Sequence, residues 1–217
     1  EKDVPLIIER GEGNHLFDTA GNRYFDGVSS LWVNLFGHRR KEIDDAVRAQ
    51  LDRMAHSTFL GLSHPPAIEL AEKLLAVSPP GLARVFYSDN GSTAMEIAIK
   101  MAFQYWRQRE GGERKTAFLT LSEAYHGDTI GSVSAGGIDL FHRIFRPLLF
   151  RTRRLPAPHC YRCPYGLVRQ ACGLRCADRM EEAIREGREE LAAVIVEPLV
   201  QGAAGMLMMP EGYLSRA

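Results

Sequence analysis

Lysine is scarce in this sequence. Of 27 basic side chains only five are Lys (Lys2, Lys41, Lys73, Lys100 and Lys115), and the rest are Arg. Any chemistry that needs a side-chain amine has those five candidates. Charge of one sign is also lacking. The 27 Lys and Arg are balanced by 27 Asp and Glu, so no global field exists to hold nucleic acid or an anionic membrane surface. No apolar run approaches the ~20 residues of a membrane span. The opening Glu1-Lys2-Asp3-Val4 has no signal-peptide pattern. Four Cys in 217 residues are too few for a disulfide scaffold, and the expected location is the cytosol. Hydrophobic residues make up 45% and charged residues 25%, which excludes a disordered or low-complexity chain. The length allows one large domain or two small ones with a real core.

The N-terminal part reads as short strands followed by helices. Residues 4–8 are expected as a strand. His15–Asp18 and Arg23–Asp26 form a hairpin around Ala20-Gly21-Asn22, because Gly and Asn tolerate positive φ. Residues 41–54 carry Ile43, Val47, Leu51 and Met54 at helical spacing. Pro65-Pro66 starts a second helix, which Pro79-Pro80-Gly81 ends.

A strand–helix–strand pattern follows. Arg84–Tyr87 is expected as a compact strand, Ser88–Ser92 as a turn, and Thr93–Arg109 as a helix with Thr93 and Glu96 at capping-box spacing. Ala117–Leu121 and Ala192–Glu197 are near-continuous apolar strands, the second preceded by a charged helix over 178–190. Such runs alternating with helices point to an α/β fold with a mainly parallel sheet flanked by helices. Residues 151–176 are expected as a long surface excursion.

Several segments can carry chemistry. Tyr87-Ser-Asp-Asn-Gly-Ser92-Thr93 joins an apolar segment to a helix start, where free N–H groups and the positive dipole end favour phosphate. It lacks the Gly-Lys-Ser/Thr ending of a P-loop and the Gly-x-Gly-x-x-Gly dinucleotide pattern, and Ser92 and Thr93 can equally be simple helix caps. Ala124-Tyr125-His126-Gly127-Asp128-Thr129 follows the 117–121 strand. Ligands of open α/β sheets sit at the carboxyl ends of strands, so this loop and the Gly91-Ser92 turn are expected to face one crevice. Tyr125 offers a flat face to a planar ring, and Asp128 can orient His126. A polar turn around a buried aromatic is the simpler account of the same residues. Glu197 stands at the end of the last strand, before the glycines of Gln201–Gly205; it can meet a ligand or merely be solvated. Trp32 can wall a pocket or pack in the core. Cys160-x2-Cys163-x8-Cys172-x3-Cys176 can bind zinc or be free thiols. Gly131-Ser-Val-Ser134 is no nucleophile elbow.

Taken together, Asp26–Trp32, Ala55–Thr58, Pro66–Leu70, Phe86–Ser92, Glu96–Trp106, Tyr125–Thr129 and Ile195–Pro198 resemble the class III aminotransferases. These are pyridoxal 5′-phosphate (PLP) enzymes of fold type I, the aspartate aminotransferase-like fold, and the resemblance covers nearly the whole chain. The Met101–Trp106 helix end and Ser29-Ser-Leu-Trp32 are similar to the biotin-pathway branch. The resemblance implies transamination of 8-amino-7-oxononanoate to 7,8-diaminononanoate, with S-adenosylmethionine or lysine as amino donor. It implies a homodimer, with 1–55 as the N-terminal segment of a small domain and 56–217 as the first half of the PLP-binding domain. Gly91 and Ser92 would hold the cofactor phosphate, Tyr125 would stack on the pyridine ring and touch substrate, and His126 would support it. Glu197 would sit near the ring substituents, and Trp32 would line the substrate pocket. Leu31 stands where that branch often has Trp, which leaves the donor open.

None of the five lysines fits the family's Schiff-base context. The resemblance implies that this Lys and the Asp facing the pyridine nitrogen lie beyond residue 217, so that the chain is a fragment, inactive alone. The alternatives are another class III ω-amino acid transaminase, a glutamate-semialdehyde aminomutase, or a non-catalytic metal-binding module built on the four Cys.

Overall fold

The computed structural model describes residues 4–217. The chain divides into two compact units, one reaching Val85 and the other Phe86–Ala217.

The first unit opens with an antiparallel sheet of order β1-β2-β3, made of β1 (Ile8–Glu12), β2 (His15–Asp18) and β3 (Arg23–Phe25). The strand expected over 4–8 begins only at Ile8, where the partner strand becomes available: Ile8 faces Asp18, and Glu12 faces His15. The β2–β3 turn is fixed by Asp18. Its buried carboxylate accepts the amides of Ala20 (2.9 Å) and Asn22 (2.8 Å) and the Tyr24 hydroxyl (2.9 Å), as turn-forming Asp side chains do.

A single turn, α1 (Ser29–Trp32), comes next. Its four residues have φ between +49° and +70°, so it winds left-handed, which costs non-glycine residues roughly 1–2 kcal/mol each. Asp26 compensates. Its carboxylate accepts the Ser30 amide and hydroxyl, both at 2.8 Å, and pairs with His38 Nε2 at 2.8 Å. Helices α2 (Lys41–Arg53) and α3 (Pro65–Val77) follow. Proline at the start of α3 sacrifices no intrahelical bond.

In the second unit α4 (Gly91–Arg107) leads to β4 (Ala117–Leu121), α5 (Ile130–Ala135) and α6 (Asp139–His142). A 3₁₀ turn over Arg143–Leu148, β5 (Thr152–Leu155), α7 (Arg175–Glu186) and β6 (Leu191–Val194) come next. A two-residue ladder, β7 (Val200–Gln201) with β8 (Leu207–Met208), and α8 (Tyr213–Arg216) complete it. The parallel sheet has order β5-β4-β6. Alternation along β4 sends Leu119 and Leu121 to one face, against Ala177, Met180 and Ala183 of α7. Phe118 points the other way, against Ile99 of α4 and Ala135 of α5. Complete burial of each such large side chain is worth about 1.5–3 kcal/mol, so β4 is the axis of the core. Trp106 Nε1 donates to the Ala192 carbonyl at 2.8 Å and ties the end of α4 to β6.

Four further expectations are corrected. Residues 84–87 form no strand, and Phe86 is 66% exposed: apolar composition supplies a face to bury but not a ladder. The 151–176 excursion shrinks, because Thr152-Arg-Arg-Leu155 is a strand paired to β4. Its arginines sit on a sheet edge, where charge is tolerated and discourages further pairing. The cap of α4 is Asn90 with Thr93, since Thr93 N donates to Asn90 Oδ1 at 3.0 Å and Asn90 N to Thr93 Oγ1 at 3.1 Å, and Glu96 is engaged elsewhere. The charged helix before β6 runs over 175–186 rather than 178–190. Among the described residues no helix is long and apolar enough to cross a membrane.

Candidate functional site

The carboxyl ends of β4 and β6 lead into two loops, Ser122–Thr129 and Ile195–Pro198, beside the N-terminus of α4. With the Asn90–Thr93 capping box made, the Gly91 and Ser92 amides open the helix with no carbonyl one turn back inside it. An anion is favoured there by those amides and by the helix dipole.

The 125–131 loop is stitched to this helix end. Asp128 N donates to Ser92 Oγ at 3.2 Å, and Ser132 Oγ to the Ser92 carbonyl at 3.1 Å. Gly131 N donates to Glu96 Oε1 at 2.6 Å. Gly127 makes the approach possible. Its φ is +119°, and a Cβ there would stand 2.0 Å from Ser92 Oγ. The result is a cavity of about 730 Å³ lined by Gly91, Ser92, Tyr125, His126, Gly127 and Asp128, among others. The expected meeting of the Gly91-Ser92 turn with the Tyr125 loop is thus found.

Within the cavity wall the phenol of Tyr125 donates to Asp128 Oδ2 at 2.6 Å. That bond, together with partial burial and the carboxylate charge, pushes the Tyr125 pKa up to about 12, so the ring stays neutral at physiological pH. Asp128 is therefore spent on Tyr125, whereas the sequence suggested that it orients His126. The His126 imidazole is held below its ordinary pKa by burial, against the pull of the Glu197 charge. Its Nε2 is buried with no protein partner.

Glu197 works as a clamp. One carboxylate oxygen accepts the Tyr125 amide at 2.8 Å, and the other accepts the Gly202 amide at 3.0 Å. This joins the loop after β4 to the loop after β6. Trp32 belongs to the first unit, where the Asp26-braced left-handed turn leaves it 52% exposed. The four Cys are half-buried free thiols. Among the described residues no group of three His, Cys, Asp or Glu side chains stands ready to hold a metal ion. Three contributors escaped the sequence reading: Asn90 as the cap, Glu96 as the acceptor for Gly131, and Gly127 as the contact point. Asn before Gly-Ser at a helix start was the visible sign of the first; the other two depend on pairs 35 residues or more apart in the chain.

The donor set fits a phosphorylated planar ring. An anion cradle, an aromatic face and a buried, unpartnered imidazole nitrogen converge on one cavity of suitable size.

Comparisons with known proteins agree. The family model for class III aminotransferases matches residues 1–217. The chain is 61% identical over 211 residues to the adenosylmethionine-8-amino-7-oxononanoate aminotransferase of Nitratidesulfovibrio vulgaris, which covers 97% of this chain and 39% of the relative. It is 53% identical to the Geobacter sulfurreducens protein of the same name, over 99% of this chain and 47% of the relative. Among solved structures, the enzyme of that name from Methanocaldococcus jannaschii superposes with a TM-score of 0.88 at 45% identity, covering 99% of this chain and 46% of that one. A PLP-bound amine transaminase from an uncultivated Pseudomonas species gives 0.90 at 40% identity, covering 99% and 49%. The chain thus spans less than half the length of these relatives, and its fold is about half of the fold type I transaminase architecture. This chain belongs to the class III aminotransferase family.

Proposed function

We propose that this chain is the part of a PLP-dependent aminotransferase that binds the cofactor's phosphate and one face of its ring, and that the intact protein converts 8-amino-7-oxononanoate to 7,8-diaminononanoate in biotin biosynthesis. The observation that carries the first part is the convergence of the α4 N-terminus and the Tyr125 loop on one cavity. The substrate rests on the names of relatives 47–61% identical to this chain. Bound PLP supplies an electron sink that stabilises negative charge at the substrate carbon.

The chain's own residues prepare that site. Gly91 and Ser92 amides hold the phosphate. Tyr125 would face the ring, and its raised pKa keeps a phenolate from competing with the phosphate for the anion-favouring amides nearby. His126 offers one neutral ring nitrogen to a polar substituent. Glu197 keeps the Tyr125 backbone in place and brings its negative charge close to the ring. Residues 1–55 contribute the N-terminal segment of the small domain, with Trp32 as a wall of the substrate pocket, and 56–217 form the first half of the PLP-binding domain. The lysine that carries PLP and the carboxylate facing its pyridine nitrogen come from sequence outside this chain, and the working unit is a homodimer in the cytoplasm. S-adenosylmethionine is the donor suggested by the relatives' names, and lysine is the alternative.

The test uses the intact protein with PLP, 8-amino-7-oxononanoate and each donor separately, with the product followed by mass spectrometry. Formation of 7,8-diaminononanoate with either donor supports the reading and identifies the donor. Turnover of simple ω-amines with pyruvate, without that product, would assign the protein to the amine transaminases represented among its structural relatives.

A further inference from the structure

The cysteines lie away from the cavity at α4, in a segment that the cofactor reading leaves unused. Cys160 and Cys163 stand in the irregular stretch after β5, and a turn closed by Gly166 N to the Cys163 carbonyl (3.0 Å) follows them. Cys172 precedes α7, and Cys176 lies in its first turn. All four Cys line one cavity of about 10 Å³, space for a single water-sized body. No nitrogen or oxygen surface faces the void, so water would find none of the two to four polar partners that retain it. A soft cation would find four ligands. The spacing pairs a Cys-x2-Cys with a Cys-x3-Cys, and the second pair is held by the start of α7, with Cys176 in its first turn.

We propose that Cys160, Cys163, Cys172 and Cys176 form a structural tetrathiolate site for one Zn²⁺. The four Cys line the void, and among the described residues no three ligands are yet gathered on a common point, so binding draws them inward by side-chain rotation and modest movement of the irregular 156–174 segment. Zinc binding to thiolates is coupled to ordering of the segments that supply them, so the site is completed as the metal binds. The balance is simple: four S–H bonds break, four Zn–S bonds form, four protons pass to solvent, and nothing is oxidised or reduced. The centre then carries two negative charges, close to Arg175, whose guanidinium pairs with Glu182 at 2.7 Å. The consequence is a staple that fixes the excursion after β5 to α7, the helix covering one face of β4.

The intact protein is reduced, stripped of metal and titrated with Co²⁺ under argon. The expected result is one equivalent bound per chain, with sulfur-to-metal charge-transfer and tetrahedral d–d absorption, displaced by Zn²⁺. In the Zn²⁺ form the four thiols resist a thiol reagent, and chelation exposes them. C163S and C176S should each weaken Co²⁺ affinity at least tenfold. Four freely reactive thiols in folded, Zn²⁺-treated protein, or two disulfides and no cobalt spectrum, would overturn the proposal. The spectrum of the unsubstituted protein decides the matter even if a variant fails to fold, and none of these readouts depends on PLP.

Discussion

The contact between Gly127 and Ser92 gives the sharpest test of the cofactor cradle. Gly127→Ala places a Cβ 2.0 Å from Ser92 Oγ, 2.7 Å from Ser92 Cβ and 2.9 Å from Ser92 Cα. The last of these is backbone in the first turn of α4, so no rotamer change of Ser92 relieves the clash fully. The variant residue must also adopt φ near +119° or shift the loop. Strained backbone of this kind costs about 1–3 kcal/mol, and losing the hydrogen bond from Asp128 N to Ser92 Oγ adds about 0.5–1.5 kcal/mol. The loop therefore moves away from the helix end, and the phosphate cradle parts from the ring face. If most of this cost falls on the bound state, PLP affinity drops by between one and three decades. The assay is equilibrium PLP binding to the intact protein, by absorbance or tryptophan quenching, with thermal melting in parallel. Gly111→Ala is the control. It also has positive φ, +72°, but nothing lies within 4 Å of its added Cβ, so it should lower the melting temperature without changing PLP affinity. Affinity within twofold of the parent for Gly127→Ala, in protein that still melts cooperatively, would refute the argument.

Three further outcomes follow from the same geometry. Glu197→Gln leaves one side-chain carbonyl for two amides, those of Tyr125 and Gly202, and should cost about 1–3 kcal/mol in chemical denaturation; an unchanged midpoint would remove Glu197 from the clamping role. Asp128→Asn removes the charge that holds the Tyr125 proton, so ultraviolet titration should show one tyrosine ionising at lower pH than in the parent. In the parent, the raised Tyr125 pKa contributes stability that is complete below the ordinary phenol range of about 10 and is lost as pH rises toward about 12, so denaturation midpoints should fall over that window and fall less in Asp128→Asn. Asn90→Ala removes the cap of α4 and should cost about 1 kcal/mol in thermal unfolding.

Local chemistry makes much of the site legible in the sequence. The β2–β3 hairpin was visible because Gly21-Asn22 permits its turn and Asp18 lies within side-chain reach of the same backbone. Strand β4 was visible because five consecutive residues, Ala117–Leu121, carry enough apolar surface to be buried on both faces. The start of α4 and the Tyr125 loop were both placed at the carboxyl side of that sheet. Elsewhere pattern and structure diverge for a common reason. Apolar composition at 84–87 records a demand for burial, whereas a strand also requires a neighbour, and the neighbours of β4 are β5 and β6. Thr152–Leu155 shows the converse: its arginines obscure a strand whose pairing to β4 is nonetheless continuous over four residues.

The site divides along the same line. Tyr125 and Asp128 are three residues apart, but geometry was needed to assign Asp128 to the phenol instead of the imidazole, because both side chains lie close to it along the chain. Glu197 could be placed at a strand end from sequence, yet its function depends on a partner 72 residues away. Its two oxygens are committed to two backbone amides, so its contribution to any bound ring is made through the position of Tyr125 and through charge. The same long-range stitching explains why Gly127 is needed: its missing side chain is a statement about Ser92, which lies on another element. The cradle is therefore a property of three segments held by β4 and β6 together, and each hydrogen bond that joins them should shift cofactor affinity before it abolishes the fold.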